Sequence, residues 1–235
     1  MATTIAIMDR PGMDRPTDVI VVARPKRRQL LWVPRDLWSE RVGDRVNEAF
    51  RQGGPSLLRD TLAEHGIGAG TIVCLDRSLV AGILARVDVL MPIREPMEFW
   101  YPLGPERDLE EGRRPIRFEP PVERLSGERV HQWIGARYPT GAPGTPIPRL
   151  PDLHRIRRQQ ELVAVLVGGG FDFAAAAEAI EAAGPQQARI EGDGWRDDLA
   201  AIDPGWSFET FGPVVPVTID GKAVLAPGSV RPRHE

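Results

Sequence analysis

Apolar positions fall into short runs early in the chain and into longer, helically spaced stretches later. Residues 4–8, 18–23 and 29–33 read as strands, the second built on the β-branched run Val19-Ile20-Val21-Val22 and suited to burial on both faces. The polar segment 24–28 turns the second strand into the third, giving a hairpin. A helix is predicted from about Asp44 to Gln52, stopped by Gly53-Gly54, and Pro55 opens the next, through His65. Residues 66–70 form a loop, 71–75 a strand, 78–84 a short helix and 87–91 another strand.

From Pro92 to about Pro121 proline and charge dominate, with short extended pieces such as 115–118. Ser126 is placed to cap a helix over 127–136, with Val130, Trp133 and Ile134 on its inner face. Segment 138–151 is a proline- and glycine-rich surface loop of the kind that borders sites. A helix follows Pro151 to about Val167 and breaks at Gly168-Gly169-Gly170, and an alanine-rich helix spans 173–183. Beyond Ile190 the chain is turn-rich, with a hairpin of 214–219 and 223–225 around Asp220-Gly221. Strands alternating with helices over a mostly apolar sheet predict a layered α/β domain over 1–192, with 193–235 as a C-terminal extension packed on it.

The 235 residues suffice to bury a sizeable core, and shares of 42% hydrophobic and 27% charged residues are ordinary for a globular chain. A net charge of −3 gives no reason to expect nucleic acid as a partner. Lys26 and Lys222 are the only lysines, so nearly all positive charge is arginine; that suits many anion contacts, but codon bias is the preferred explanation. Cys74 is the sole cysteine and sits in an apolar run, where a buried thiol acts as a small hydrophobe. No stretch approaches the roughly 18–20 apolar residues of a membrane span, and the first residues lack the features of a signal peptide.

The densest chemistry is Asp152-Leu-His-Arg155-Ile-Arg157-Arg158-Gln159-Gln160. On a helix, Arg155, Arg158 and Gln159 occupy neighbouring positions, and clustered guanidinium forks suit bidentate phosphate binding. Taken alone, the segment reads first as a solvated, salt-bridged helix start, as most charge runs do.

Three other pieces stand in order with it: Val33-Pro34-Arg35-Asp36 after a strand, Asp44-Arg45-Val46-Asn47-Glu48-Ala49-Phe50 leading to Gly53-Gly54, and Leu125-Ser126-Gly127 opening a helix that ends at Arg137. Their order and spacing over about residues 4–167 resembles the LytR-CpsA-Psr (LCP) family. That resemblance implies a three-layer α-β-α sandwich around a central mixed sheet. It also implies transfer of a phosphoglycopolymer from a polyprenyl-pyrophosphate carrier to peptidoglycan or another wall acceptor, with Mg (or Mn) at the pyrophosphate and a pyrophosphatase side activity. The lipid substrate would bring the protein to the membrane surface, on its extracytoplasmic face.

Carried over by position, Arg35, Asp36, Arg155 and Arg158 are implied catalytic residues. Arg45, Asn47, Arg137, Gln159 and Gln160 are implied substrate ligands, and Asp9 and Asp18 metal ligands. Asp36 is either an anchor for arginine or the base on the acceptor hydroxyl, and both Asp36 and Asn47 suit turn and cap positions as well. His131 and His154 are ordinary helix residues. Three departures stand out. Gly135 occupies the first arginine of the family's R-x-R, Ala85-Arg86 replace a double glycine, with Arg86 a candidate for the lost charge that nothing else in the sequence supports, and the family's preceding membrane anchor is not in this sequence. A transferase and a degenerate, non-catalytic binder of pyrophosphate lipids therefore compete. A regulatory reading through DNA is disfavoured by the acidic balance and the lack of a helix-turn-helix signature.

Overall fold

The computed structural model describes residues 2–104, 112–140 and 151–228. In chain order the strands are β1 (Thr3–Met8), β2 (Thr17–Arg24), β3 (Gln29–Trp32), β4 (Trp38–Ser39), β5 (Asp44–Arg45), β6 (Thr71–Leu75), β7 (Asp88–Pro92), β8 (Met97–Pro102), β9 (Arg113–Phe118), β10 (Val122–Ser126), β11 (Tyr138–Pro139), β12 (Ala188–Glu191), β13 (Ser207–Thr210), β14 (Val214–Ile219) and β15 (Lys222–Pro227). The α-helices are α1 (Ala49–Glu64), α2 (Arg77–Leu84), α3 (Glu128–Gly135), α4 (Pro151–Gly168), α5 (Phe173–Ala182) and α6 (Trp195–Ala200).

Period-two alternation of apolar residues gives the central strands two buried faces. On one face Ala6, Met8, Ile20, Val22, Leu31, Ile72 and Cys74 pack against Ala49, Phe50, Leu58 and Leu62 of α1. On the other, Ala23, Leu30, Trp32, Val73 and Leu75 meet Ile156 of α4, Ile180 of α5 and Trp195 and Leu199 of α6. The result is the expected three-layer α-β-α sandwich. Cys74 is fully buried, and burial pushes its thiol pKa up, so it packs as a hydrophobe.

The central sheet runs β12-β6-β1-β2-β3-β13 and is mixed: β1–β6 and β3–β13 are parallel, the other pairs antiparallel. This arrangement brings the carboxyl ends of β1, β3, β6 and β13, and the start of β2, to one edge. A satellite unit, β8 between β9 and β11 with the β7–β10 pair and α3, has its own core, where Phe118 and Trp133 meet edge to face at 5.0 Å. Leu162 and Leu166 of α4 complete that core, so α4 joins the two units.

Several expectations are corrected. The helix predicted from Asp44 begins instead as β5 and a single 3₁₀ turn (Val46–Glu48) before α1. Ser126 ends β10 and caps nothing; Gly127, at φ 49°, makes the turn into α3. The C-terminal hairpin forms as expected around Asp220-Gly221, with Leu225 buried beside Leu37, and α6 and β13 add to the main core and sheet. Of the loop expected over 138–151, β11 pairs with β8, and residues 141–150 lie outside the described residues.

Gly53-Gly54 interrupt the helix as expected: both leave the helical region within α1, and Pro55 opens its second stretch. Gly54 lies at φ 67°, ψ −160°, a region essentially closed to residues with a Cβ. A Gly54→Ala variant is expected to lose about 1–3 kcal/mol of stability, read as a lowered Tm.

Candidate functional site

The shared carboxyl edge of the sheet gathers the ionised groups, the place where open α/β sheets bind ligands. Asp9 follows β1, Asp18 starts β2, Arg35 and Asp36 follow β3, Arg137 leaves α3, and α4 brings in Asp152 and Arg155. Arg155, 1% exposed, lies between two carboxylates: its NH1 is 2.5 Å from Asp18 Oδ2, and its NH2 donates to Asp152 Oδ1 at 2.5 Å and to the Asp18 carbonyl at 2.7 Å. Arg35 donates to Asp18 Oδ1 at 2.7 Å, and its backbone N–H donates to Asp152 Oδ2 at 3.3 Å. Asp152 thereby ties the β3 exit to α4.

Asp36 is shared among three guanidiniums: Arg137 NH2 at 3.3 Å, Arg45 Nε at 3.6 Å and Arg35 Nε at 3.9 Å. Of its two sequence readings, that geometry fits the anchor. Asn47 supports the group from below, its backbone N–H donating to the Arg35 carbonyl at 3.1 Å while its own Oδ1 stays buried without a hydrogen bond among the described residues.

Burial alone would raise the Asp18 pKa, but Arg155, Arg35, Arg137 and Arg77 together hold it well below the usual carboxylate range. Asp9 shifts the other way, raised first by burial and then by the charge of Asp18. Its Oδ1 is buried and has no hydrogen-bond partner among the described residues. Burial lowers the Arg137 pKa, and the neighbouring Arg35 and Arg155 lower it further.

Arg158 and Gln159 do not join this network. Arg158 Nε donates to the Trp133 carbonyl at 3.0 Å and its NH2 donates to that of Ala136, with the guanidinium 4.5 Å over the Phe99 ring. Gln159 Nε2 donates to the Ile134 carbonyl at 3.1 Å. Both side chains cap the C-terminal end of α3 and so fix the segment that carries Arg137. Burial lowers the Arg158 pKa to about 10, helped by the charge of Arg155. Gln160 faces β13, donating to Thr210 Oγ1 at 3.1 Å. Arg86 is exposed past the end of α2. His131 and His154 sit on helices as expected; burial, then the charge of Arg77, lowers the His131 pKa.

Sequence reasoning did not assign site roles to Asp152, Arg77 or Tyr101. For Asp152 the signal was available, three residues before Arg155 on the same helix face.

The site is thus a set of arginines braced by carboxylates at the carboxyl edge of a mixed sheet, inside a three-layer α/β sandwich. No protein-family model and no curated relative matches the chain. Solved structures do. TagV of B. subtilis has a TM-score of 0.63 at 14% identity, over 97% of this chain and 91% of that one. TagT bound to LI-WTA has a TM-score of 0.61 at 15% identity, over 97% and 84%. The LytR-CPS2A-psr family protein YwtF (TagT) with bound octaprenyl pyrophosphate lipid has a TM-score of 0.58 at 14% identity, over 97% and 83%. The fold is therefore that of LCP proteins.

Proposed function

We propose that this protein binds a polyprenyl-pyrophosphate-linked glycan at the arginine network and transfers its phosphoglycopolymer to a hydroxyl of peptidoglycan or another wall acceptor. The observation that carries the reading is the convergence of Arg35, Arg137 and Arg155, braced by Asp18 and Asp36, on one edge of an LCP-like sheet. In the step, the acceptor oxygen bonds to the glycan-bearing phosphorus and the bond to the bridging oxygen breaks. Polyprenyl phosphate leaves with the electron pair, and the hydroxyl proton passes to solvent. Negative charge grows on the bridging oxygen, and fixed guanidiniums stabilise it there without reorganisation.

Asp9 and Asp18 are the residues that would hold Mg²⁺. The unpartnered, buried Asp9 Oδ1 and the neighbouring Asp18 carboxylate are hard oxygen donors, and Mg²⁺ sites commonly combine one or two carboxylates with substrate phosphates. When bound, the ion neutralises charge on the pyrophosphate.

The test is Mg²⁺-dependent release of polyprenyl phosphate from a polyprenyl pyrophosphate. Arg137→Ala is expected to reduce the rate by about 10- to 100-fold, as loss of a charge-assisted contact does. Tight binding with no release would favour the competing reading, a non-catalytic binder, to which Gly135 points by removing one side chain from the clamp. No binding at all would sink both.

A further inference from the structure

Four arginines of the network, Arg35, Arg45, Arg137 and Arg155, face four carboxylates, Asp9, Asp18, Asp36 and Asp152. Within those eight groups the charges balance. A further cation lies at the same edge. β6 ends at Leu75, Asp76 caps α2 through the Ser78 backbone N–H, and Arg77 is the first helical residue. Asp76 is buried and also accepts from the Gly12 backbone N–H, which fastens the loop after β1 to the start of α2. From there Arg77 NH1 donates to the Asp9 carbonyl at 2.5 Å, and NH2 reaches the Tyr101 hydroxyl at 3.5 Å.

The guanidinium also lies against the bare Cα of Gly135. A Cβ built there would stand 4.0 Å from Arg77 NH2 and 3.8 Å from the Tyr101 hydroxyl oxygen. A long side chain at 135 would compete with Arg77 for this space. Unlike Arg35, Arg137 and Arg155, Arg77 has no carboxylate within ion-pair distance among the described residues, and it is only half-buried.

We propose that Arg77 is a diphosphate-binding arginine of the clamp, reaching the site from α2 through the space that Gly135 leaves open. The inference rests on the polyprenyl-pyrophosphate reading of the site and deepens it. It places the cation missing from α3 on α2, where it adds a positive charge beside Asp9 and Gly135. The influence of Arg77 on both Asp9 and Asp18 agrees with that placement. Arg86 cannot take this role: it stands nine residues on, about 13 Å along the axis of α2 and just beyond it.

The experiment measures binding of farnesyl pyrophosphate and farnesyl monophosphate by calorimetry, with Mg²⁺, to the full chain. Arg77→Gln retains hydrogen-bonding capacity toward the Asp9 carbonyl and the Tyr101 hydroxyl but removes the charge. It is expected to weaken pyrophosphate binding by about 10- to 100-fold, to affect the monophosphate less, and to leave the Tm near that of the parent. Arg77→Lys should restore part of the affinity. Adding Gly135→Arg to Arg77→Gln should recover most of it, because the new guanidinium enters the vacated space. If Arg77→Gln binds pyrophosphate like the parent while Arg137→Ala does not, Arg77 only braces the loop and the inference is overturned, with the site reading intact. If the parent itself fails to bind pyrophosphate, the site reading fails and this inference with it.

Discussion

Arg155→Ala is expected to lower the unfolding free energy by about 3–5 kcal/mol at neutral pH, read as a shifted urea midpoint. The loss follows from what stays behind. Arg155 is 1% exposed and its guanidinium lies 2.5 Å from both Asp18 and Asp152, so the truncation leaves two carboxylates facing a buried space with their counter-charge gone. The pH dependence has a definite sign. Asp18 is depressed in the folded protein, so its contribution to stability is present above the ordinary carboxylate pKa of about 4 and is lost as pH falls through the depressed value. Without Arg155 that depression shrinks. The gap between parent and variant should therefore be widest near neutrality and narrow below about pH 4. A gap that is flat with pH would mean that packing, not charge, sets the cost. The same burial makes Arg155→Ala a poor probe of function, because lost activity would follow from lost structure. Arg137, whose side chain is 15% exposed and which pairs with Asp36 at 3.3 Å, is the better probe.

The central strands were legible because their apolar residues alternate strictly, or run continuously where both faces are covered, and because glycine and proline mark their ends. β13 was not. Ser207-Phe208-Glu209-Thr210 is a mostly exposed edge strand, and only its parallel pairing with β3 makes it one. The start of α1 was misplaced because β5 and the 3₁₀ turn consist of residues that suit a helix equally well; pairing with β4 decides the matter.

The site was partly legible for a similar reason. Helix geometry correctly put Arg155, Arg158 and Gln159 side by side, and all three are buried. It could not say that Arg155 meets the sheet edge while Arg158 and Gln159 meet the end of α3, since that depends on what packs against each flank of α4. Arg77 was illegible for want of topology. Only the parallel pairing of β1 with β6 sets the residue after Asp76 beside Asp9. A family pattern carried over by position keeps track of Gly135 as a loss, whereas the charge has another entry point in space.

Asp9→Asn is expected to separate stability from function. Burial and the charge of Asp18 raise the Asp9 pKa, so the folded state disfavours the ionised carboxylate. For a raised carboxylate the favourable contribution is complete below the unfolded pKa and disappears as pH rises through the folded value, which makes ionised Asp9 a net liability at neutral pH. The neutral amide removes that liability, so the variant should melt higher than the parent at pH 7, with the difference closing as the pH falls and Asp9 itself protonates. Mg²⁺ should do the opposite to the pair: it raises the Tm of the parent by binding the folded state and leaves the variant nearly unchanged. Affinity for the ion should fall at least by the roughly 10–100-fold that lost outer-shell partners already cost metal sites. A thermal-shift titration at two pH values reads all three effects. A variant less stable than the parent at pH 7, or one that still responds fully to Mg²⁺, would remove Asp9 from the metal site. The Oδ1 is what makes the trade-off intelligible: a buried carboxylate oxygen with no hydrogen-bond partner among the described residues is unfavourable for folding when it carries charge, and a cation is the ligand that reverses that sign.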